Sequence, residues 1–314
     1  MKNYADRLVS AIHKKGNPCV VGLDPRLNMM PDFVTSCSSK MEKEKAIQVA
    51  ITNFHRIILD VVSPLVPAVK LQIAFYEQYG IPGLLAFADT IQIAKKKGLI
   101  VIVDAKRNDI ASTAEAYANA FLGKSTIFGS RESVFDIDCI TVSPFLGRDS
   151  LEPFVKACTE YGKGIFILVK TSNPGSVDIQ DQKLVRTGEP LYEDLAKMVN
   201  DLAVSAIGES GYSSIGAVVG ATFPHEAVHL RRLMPQSIIL VPGYGAQGGN
   251  SNDVMPCFNE DGLGAVINSS RGITYAHRSR SISREEFVET VQSKLVQMIE
   301  EVTFSLRDTF GSKK

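Results

Sequence analysis

The chain has 314 residues, of which 45% are hydrophobic and 22% charged, proportions that are typical of a globular protein. Its 34 basic and 34 acidic residues cancel, which argues against a broad electrostatic surface for nucleic acid or anionic membrane. A small basic pocket for a single phosphate is not excluded by this balance.

The cysteines and the apolar segments indicate the compartment. Five cysteines are scattered without a CxxC pair, which favours free thiols in a reducing environment over a disulfide framework or a zinc site. The first sixteen residues lack the continuous apolar stretch of a signal peptide. The longest apolar region, residues 57–75, is interrupted by Asp60, two prolines and Lys70, so we expect no membrane span. We therefore predict a cytoplasmic protein.

Short apolar runs rich in β-branched residues recur along the whole chain. Their continuous apolar character predicts strands that are buried on both faces, as in a parallel sheet. The eight runs are residues 19–24, 68–74, 99–106, 139–144, 164–172, 215–222, 237–245 and 264–271.

Amphipathic patterns typical of helices lie between and after these runs. They cover residues 45–62, 84–98, 110–121, 191–208, 225–234 and 283–310. Eight strands that alternate with helices predict a (β/α)8 barrel, an α/β fold, as a single domain over residues 1–314. A doubly wound open sheet is the alternative, but no glycine-rich dinucleotide fingerprint follows the first strand.

Two insertions interrupt this alternation, at residues 123–138 and 173–190. The second is rich in glycine, proline and charged residues. We expect it to be a mobile loop over a functional site.

Polar or special residues stand at the carboxyl ends of seven of the eight runs, where the active site of such a barrel lies. Strands that simply end in solvent would explain any one of them. Charges within the runs at Lys70 and Lys106 favour convergence on one pocket. The strand-end residues are Asp24; Lys70 and Gln72; Asp104 and Lys106; Ser143; Lys170, Thr171 and Ser172; Gly243 and Gly245; and Ser269, Ser270 and Arg271.

The densest cluster of charges is in VIVDAKRNDIAST, residues 101–113. Asp104 and Lys106 are two apart on one strand, so their side chains should share a face. A lysine between carboxylates keeps its proton and can act as a positioned proton donor. The alternative is a salt-bridged strand end with Asp109 as the N-cap of the following helix. The residue chemistry alone leaves both interpretations open.

An anion site is predicted at the last two strands. The glycine-rich stretch 242–250 follows a strand, so its backbone N–H groups could hold a phosphate. Arg271, in NSSRG, adds a fork-shaped donor for phosphate oxygens. Loops after the seventh and eighth strands commonly form the phosphate site of such barrels.

The pattern D-x-K-x-x-D-I-x-x-T on the third strand resembles the orotidine 5′-phosphate decarboxylase family. Its residues are Asp104, Lys106, Asp109, Ile110 and Thr113. Six further segments match in family order: GLDPR (22–26), VKLQIAFYE (69–77), TVSPFLG (141–147), KTSNPGS (170–176), VPGYGAQGG (241–249) and NSSRGI (268–273). The TSNPGS and GAQGG forms resemble the longer subfamily.

The resemblance implies decarboxylation of orotidine 5′-phosphate to UMP in pyrimidine biosynthesis, in a homodimer and without metal or organic cofactor. Lys106 would protonate C6 of the pyrimidine as CO2 leaves, beside Asp104. Asp109 would complete the catalytic charged array from the other subunit, and Thr113 would also contribute across the interface. The remaining substrate contacts that the resemblance implies are Asp24, Lys70 and Gln72 at the ribose, Ser143 at the pyrimidine edge, Gln247 and Arg271 at the phosphate, and Ile110 and Pro242.

Three other functions stay open. The DxKxxD core also occurs in keto-gulonate phosphate decarboxylases, so a barrel that acts on a sugar phosphate through a metal-bound enediolate is one alternative. A Schiff-base aldolase that uses Lys170 or Lys106 is the second. A non-catalytic nucleotide-binding barrel with a regulatory role is the third.

Overall fold

The computed structural model describes residues 2–36, 41–245 and 248–311. Among these residues, eight parallel strands close into a barrel, in the order β1-β10-β9-β8-β7-β6-β3-β2. The barrel strands are β1 (Cys19–Gly22), β2 (Ala68–Gln72), β3 (Ile100–Arg107), β6 (Cys139–Val142), β7 (Gly164–Lys170), β8 (Ser213–Val219), β9 (Ser237–Val241) and β10 (Ala265–Ser269). All eight predicted strands and the predicted barrel are confirmed. The open sheet is excluded, because β1 pairs with both β2 and β10.

All six predicted helices are present around the barrel, but the helix Glu152–Tyr161 was not predicted. The predicted helix at 191–208 ends early, at Ala203, and continues as a 3-10 turn. The helices are α1 (Tyr4–Lys15), α2 (Asp32–Ser36), α3 (Lys43–Val62), α4 (Ala74–Glu77), α5 (Gly80–Lys96), α6 (Ala111–Phe121), α7 (Glu152–Tyr161), α8 (Leu191–Ala203), α9 (Pro224–Leu233), α10 (Ser251–Val254), α11 (Arg271–Thr274) and α12 (Arg284–Phe310).

Alternate strand residues fill two apolar layers. Val21 packs outward against the helices, whereas Val20 belongs to the barrel interior. Helix α1, which the sequence analysis did not predict, covers the interior with Tyr4, Leu8 and Ile12. A Cβ at Gly164 would lie 2.2 Å from the Tyr4 ring, so only glycine lets this helix approach the barrel so closely. With α1 at one end of the interior, the opposite end is left for a site.

Both predicted insertions contain local structure. The first forms a short antiparallel hairpin of β4 (Ser125–Ile127) and β5 (Ser130–Glu132). The second contains a 3-10 turn at Pro174–Asp178 and is tied to the end of β7. Lys170, which is fully buried, forms an ion pair with Asp181 of this insertion. The mobility of the insertion stays a prediction.

Two observations bear on the predicted compartment. No helix within the described residues is long and apolar enough to cross a membrane. Cys19, Cys139, Cys158 and Cys257 are buried and free, while Cys37 lies outside the described residues.

Candidate active site

A cavity of about 400 Å³ opens at the carboxyl end of the barrel. Seven of the twelve predicted site residues line it: Asp24, Lys70, Gln72, Asp104, Lys106, Pro242 and Arg271. They come from the ends of β1, β2, β3, β9 and β10, so the strand ends converge on one pocket.

Asp104 is the centre of the charged array and is buried. Its Oδ1 accepts hydrogen bonds from Lys106 Nζ at 2.6 Å and Thr141 Oγ1 at 2.9 Å, and its Oδ2 accepts one from Lys70 Nζ at 3.2 Å. Burial by itself would raise the pKa of the Asp104 carboxyl. The two ammonium groups and the hydrogen bonds outweigh burial, so the pKa falls well below its usual range. Asp104 is therefore a carboxylate at neutral pH.

Lys70 lies between two carboxylates and is almost completely buried. Burial lowers the pKa of its ammonium, but attraction to Asp104 and then Asp24 outweighs this and leaves the pKa raised. Asp24 is held in turn by the Ser270 hydroxyl, which donates to its Oδ2, and by the backbone N–H of Gln72 at 3.3 Å. This side of the cavity is a charged array of fixed geometry.

Backbone strain positions Lys106. Its φ of +48° lies in the left-handed region, which is rare for a side chain of this kind. The Thr141 hydroxyl accepts hydrogen bonds from the N–H groups of Ala105 and Lys106, at 3.0 and 2.9 Å. The pairing of β3 with β6 shifts register at this point, between Val103 and Arg107. The Lys106 side chain stays 45% exposed, so a substrate can reach its ammonium.

Two arginines line the cavity at the ends of β1 and β10. Neither the Arg26 nor the Arg271 side chain forms an ion pair or a hydrogen bond within the described residues. The guanidinium of Arg26 lies over the Phe75 ring, 4.4 Å from its centroid. Unlike the lysines, these cations have no ion-pair partner among the residues that the structure describes.

The predicted glycine-rich phosphate loop also reaches the cavity, through Pro242, Gly243 and Tyr244. Gly243 has a φ of +100°, which explains the need for glycine there. The Tyr244 hydroxyl donates to Glu301 of α12 at 2.6 Å and so fixes the loop. Gln247 lies outside the described residues.

Four predicted site residues do not line the cavity of their own chain: Asp109, Ile110, Thr113 and Ser143. Asp109 Oδ1 accepts the N–H of Ile110 at 2.8 Å, and Ile110 itself occupies the N-cap position of α6. The alternative that Asp109 caps this helix is therefore wrong. Ile110 is 55% exposed and Thr113 is also exposed. The Ser143 hydroxyl accepts the N–H of Phe145 at 3.4 Å.

The structure also bears on two of the open alternatives. Lys170, the candidate for a Schiff base, does not line the cavity and is enclosed by Asp181, Phe223 and Tyr192. The described residues contain no group of three or more His, Cys, Asp or Glu side chains that could hold a metal ion.

The sequence analysis missed several cavity residues. Thr141 was overlooked although a polar residue inside a buried strand is itself a signal. Arg26 belongs to the GLDPR segment, but the sequence analysis predicted no role for it. The others are Phe75, Leu168, Asn173, Val218, Leu240, Tyr244 and Asn268.

The fold and the site together define a class of protein. The protein is a (β/α)8 barrel of the kind found in many enzymes. At the carboxyl ends of its strands it has a buried Asp–Lys array and two guanidinium groups that lack an ion-pair partner within the described residues, which suits an anionic substrate.

Comparison with known proteins gives the family. A family model described as "Orotidine 5′-phosphate decarboxylase / HUMPS family" matches residues 33–285. The orotidine 5′-phosphate decarboxylase of Rhodopirellula baltica is 44% identical over 96% of this chain and 99% of its own length. That of Caldicellulosiruptor bescii is 40% identical over 89% of this chain and 92% of its own. The solved OMP decarboxylase of Leishmania donovani is 26% identical, with a TM-score of 0.72 over 97% of this chain and 98% of its own. The chain belongs to the orotidine 5′-phosphate decarboxylase / HUMPS family, as the sequence motifs predicted.

Proposed function

We propose that the chain decarboxylates orotidine 5′-phosphate to UMP in pyrimidine biosynthesis, with Lys106 as the proton donor. Relatives with this activity in their name match almost the whole chain at 40 to 44% identity. The observation that carries the mechanism is the Lys106 ammonium, bonded to the ionised Asp104 and exposed to the cavity.

The chemistry follows from this pair. When the bond between C6 and the carboxylate breaks, CO2 leaves and the electron pair remains on C6. A neighbouring ammonium stabilises this negative charge and then transfers its proton to C6. Lys106 becomes a neutral amine and regains its proton from solvent. Asp104 fixes the ammonium, and its negative charge disfavours the substrate carboxylate that is lost.

The other cavity residues account for binding. We assign Asp24, Lys70 and Gln72 to the ribose hydroxyls. Arg271 supplies a charge-assisted donor for the phosphate, and we assign Gln247 to the same group. Ser143 at the pyrimidine edge, with Ile110 and Pro242, completes the proposed contacts.

The enzyme is proposed to be a cytoplasmic homodimer with shared sites. Asp109, Ile110 and Thr113 lie just past β3 and outside the cavity of their own chain, with Ile110 and Thr113 exposed. A second copy that packs on this surface could receive them in its own site. The four buried free thiols support a reducing compartment.

The direct test is the loss of orotidylate absorbance when purified protein is added, with and without chelator. We expect full turnover in both conditions. Turnover that disappears with chelator and returns with a divalent metal would favour the enediolate alternative. Borohydride that inactivates the enzyme only with substrate present would favour a Schiff base. No turnover would favour the regulatory barrel.

Mixing two inactive variants tests the shared sites. In the proposed dimer, Lys106 and Asp109 of one chain serve different sites. A dimer of one Lys106→Ala and one Asp109→Ala chain then has one site with both lesions and one intact site. Random pairing makes half of the dimers mixed, so activity should return to about a quarter of the wild-type value. If subunits exchange and activity does not return, Asp109 acts within its own chain.

A further inference from the structure

Arg26 is a cavity cation whose charge nothing in the described chain balances. Lys70 and Lys106 are both bonded to Asp104, whereas the guanidinium of Arg26, within the described residues, contacts the face of Phe75 at 4.4 Å and no acid. The Nε atom of Arg26 is buried and, like the rest of the guanidinium, has no hydrogen-bond partner within the described residues. The guanidinium is therefore available to an acceptor that enters the cavity.

The backbone that carries Arg26 is held by tyrosine hydroxyl groups. The N–H of Arg26 donates to Tyr275 Oη at 2.7 Å, and that hydroxyl donates to the carbonyl of Asp24 at 3.2 Å. The N–H of Leu27 donates to Tyr79 Oη at 3.0 Å. These bonds fix the backbone of the loop after β1, so little backbone conformational entropy is lost when the side chain binds a ligand.

The position of Arg26 in the barrel places it beside the predicted phosphate site. Strands β1 and β10 are neighbours, with Val21 opposite Ser269, and Arg26 and Arg271 both follow these strands. Tyr275, which ends α11 just after Arg271, is the residue that bonds the backbone of Arg26. Two guanidinium groups without acid partners therefore lie on adjacent strand ends of one cavity.

We propose that Arg26 is a second phosphate-binding residue, acting beside Arg271 on the phosphate of the nucleotide. This inference rests on the proposed function. A phosphate dianion can accept hydrogen bonds from both guanidinium groups. Phe75 supports the guanidinium plane from the other side.

The test compares a phosphorylated substrate with its nucleoside. Arg26→Met removes the charge but keeps an apolar chain over Phe75, and Arg26→Lys keeps the charge. We expect Arg26→Met to lower kcat/KM for orotidine 5′-phosphate about 10- to 100-fold. The loss for orotidine, which lacks the phosphate, should be much smaller. The dissociation constant of UMP should rise with the loss of kcat/KM, whereas that of uridine should not, and Arg26→Lys should recover part of the UMP affinity.

The matched control is Arg148→Met, an exposed arginine paired with Asp201 outside the cavity, which should leave both substrates unaffected. Equal losses for nucleotide and nucleoside in Arg26→Met would show that Arg26 only packs on Phe75, and the proposal would be wrong. A wild-type protein that does not decarboxylate orotidine 5′-phosphate would instead overturn the proposed function.

Discussion

Along β2 and β3, each cation at the cavity is bonded to a carboxylate of the same chain, whereas the cations just past β1 and β10 have no such partner within the described residues. Lys70 and Lys106 both contact Asp104, which is buried and ionised. Arg26 and Arg271 line the same cavity without an acid partner within the described residues. The paired side is ordered by folding alone, so its geometry is ready before substrate arrives. The unpaired side gains its partner only when an anion binds. We therefore expect it to contribute to the affinity for the substrate and to the selectivity for anions.

The largest effect should come from the paired side. Lys106→Ala removes the proton donor, and we expect kcat to fall by at least about a thousandfold, within the range of general acid catalysis combined with lost electrostatic stabilisation. The protein should stay folded, because the side chain is 45% exposed and Lys70 still pairs with Asp104. Steady-state kinetics measures kcat, and circular dichroism shows whether the variant is folded. Lys156→Ala, at an exposed pair with Glu160, is the control. Near-normal turnover would exclude Lys106 as the donor.

A smaller effect is expected on the unpaired side. Arg271→Ala should lower kcat/KM for the nucleotide about 100-fold, since a hydrogen bond between two charged groups is lost. The nucleoside should be a poor substrate for the wild type and comparatively insensitive to the substitution. Initial rates on both substrates measure the difference. Equal losses on the two would mean that Arg271 does not bind the phosphate.

Loss of the Thr141 hydroxyl, which links the end of β3 to the charged array, should reduce turnover less again. Thr141→Val keeps the shape but removes a hydroxyl that bonds Asp104 and two backbone N–H groups. We expect about a tenfold loss in kcat with little change in KM, and about 1–3 kcal/mol lower free energy of unfolding. Kinetics and urea unfolding test this. Thr303→Val, which breaks only two hydrogen bonds within α12, serves for comparison. An unchanged kcat in Thr141→Val would show that the array holds its geometry without the hydroxyl.

The smallest effect on turnover is expected from the buried, uncharged hydrogen-bond network of His55, Tyr76 and Thr90 behind the loop after β1, because it acts on stability. Tyr76 Oη donates to the carbonyl of Leu23, and Thr90 Oγ1 donates to the carbonyl of Ala86. Because both hydroxyl protons are used in this way, the hydrogen bonds between these hydroxyls and His55 Nδ1 are donated by the imidazole N–H. Burial lowers the pKa of His55 to about 3.

The unfolded chain binds a second proton on the His55 imidazole near pH 6.5, whereas the folded chain stays neutral there because its pKa is about 3. The free energy of unfolding should therefore fall as the pH drops below 6.5, by about 1.4 kcal/mol per pH unit for one group. Urea unfolding between pH 7 and 5 measures this slope. His55→Gln should flatten it, and the exposed His13→Gln should leave it unchanged. A slope that survives in His55→Gln would assign the dependence to other groups.

The sequence was a sufficient guide to the barrel because its strands are continuous apolar runs, and each of the eight was found. It did not indicate α1, whose role depends on Gly164 leaving space for the Tyr4 ring. Strand ends located Asp24, Lys70, Asp104 and Lys106, since parallel strands must meet at one edge. Periodicity could not show the hydrogen bonds of Thr141, because they depend on a shift in strand register. Periodicity also could not show that Asp109 lies outside the cavity of its own chain, because its position depends on the path of the backbone after β3.

The left-handed backbone at Lys106 limits how this site could be moved to another protein. On a regular strand, an aspartate and a lysine two positions apart would not reproduce the geometry found here, where φ is +48° and the pairing with β6 shifts register. A designer who transplanted the D-x-K pair alone would obtain the residues without their arrangement. The smallest transferable unit is the irregular end of β3 together with Thr141, whose hydroxyl satisfies the two N–H groups that the irregularity frees.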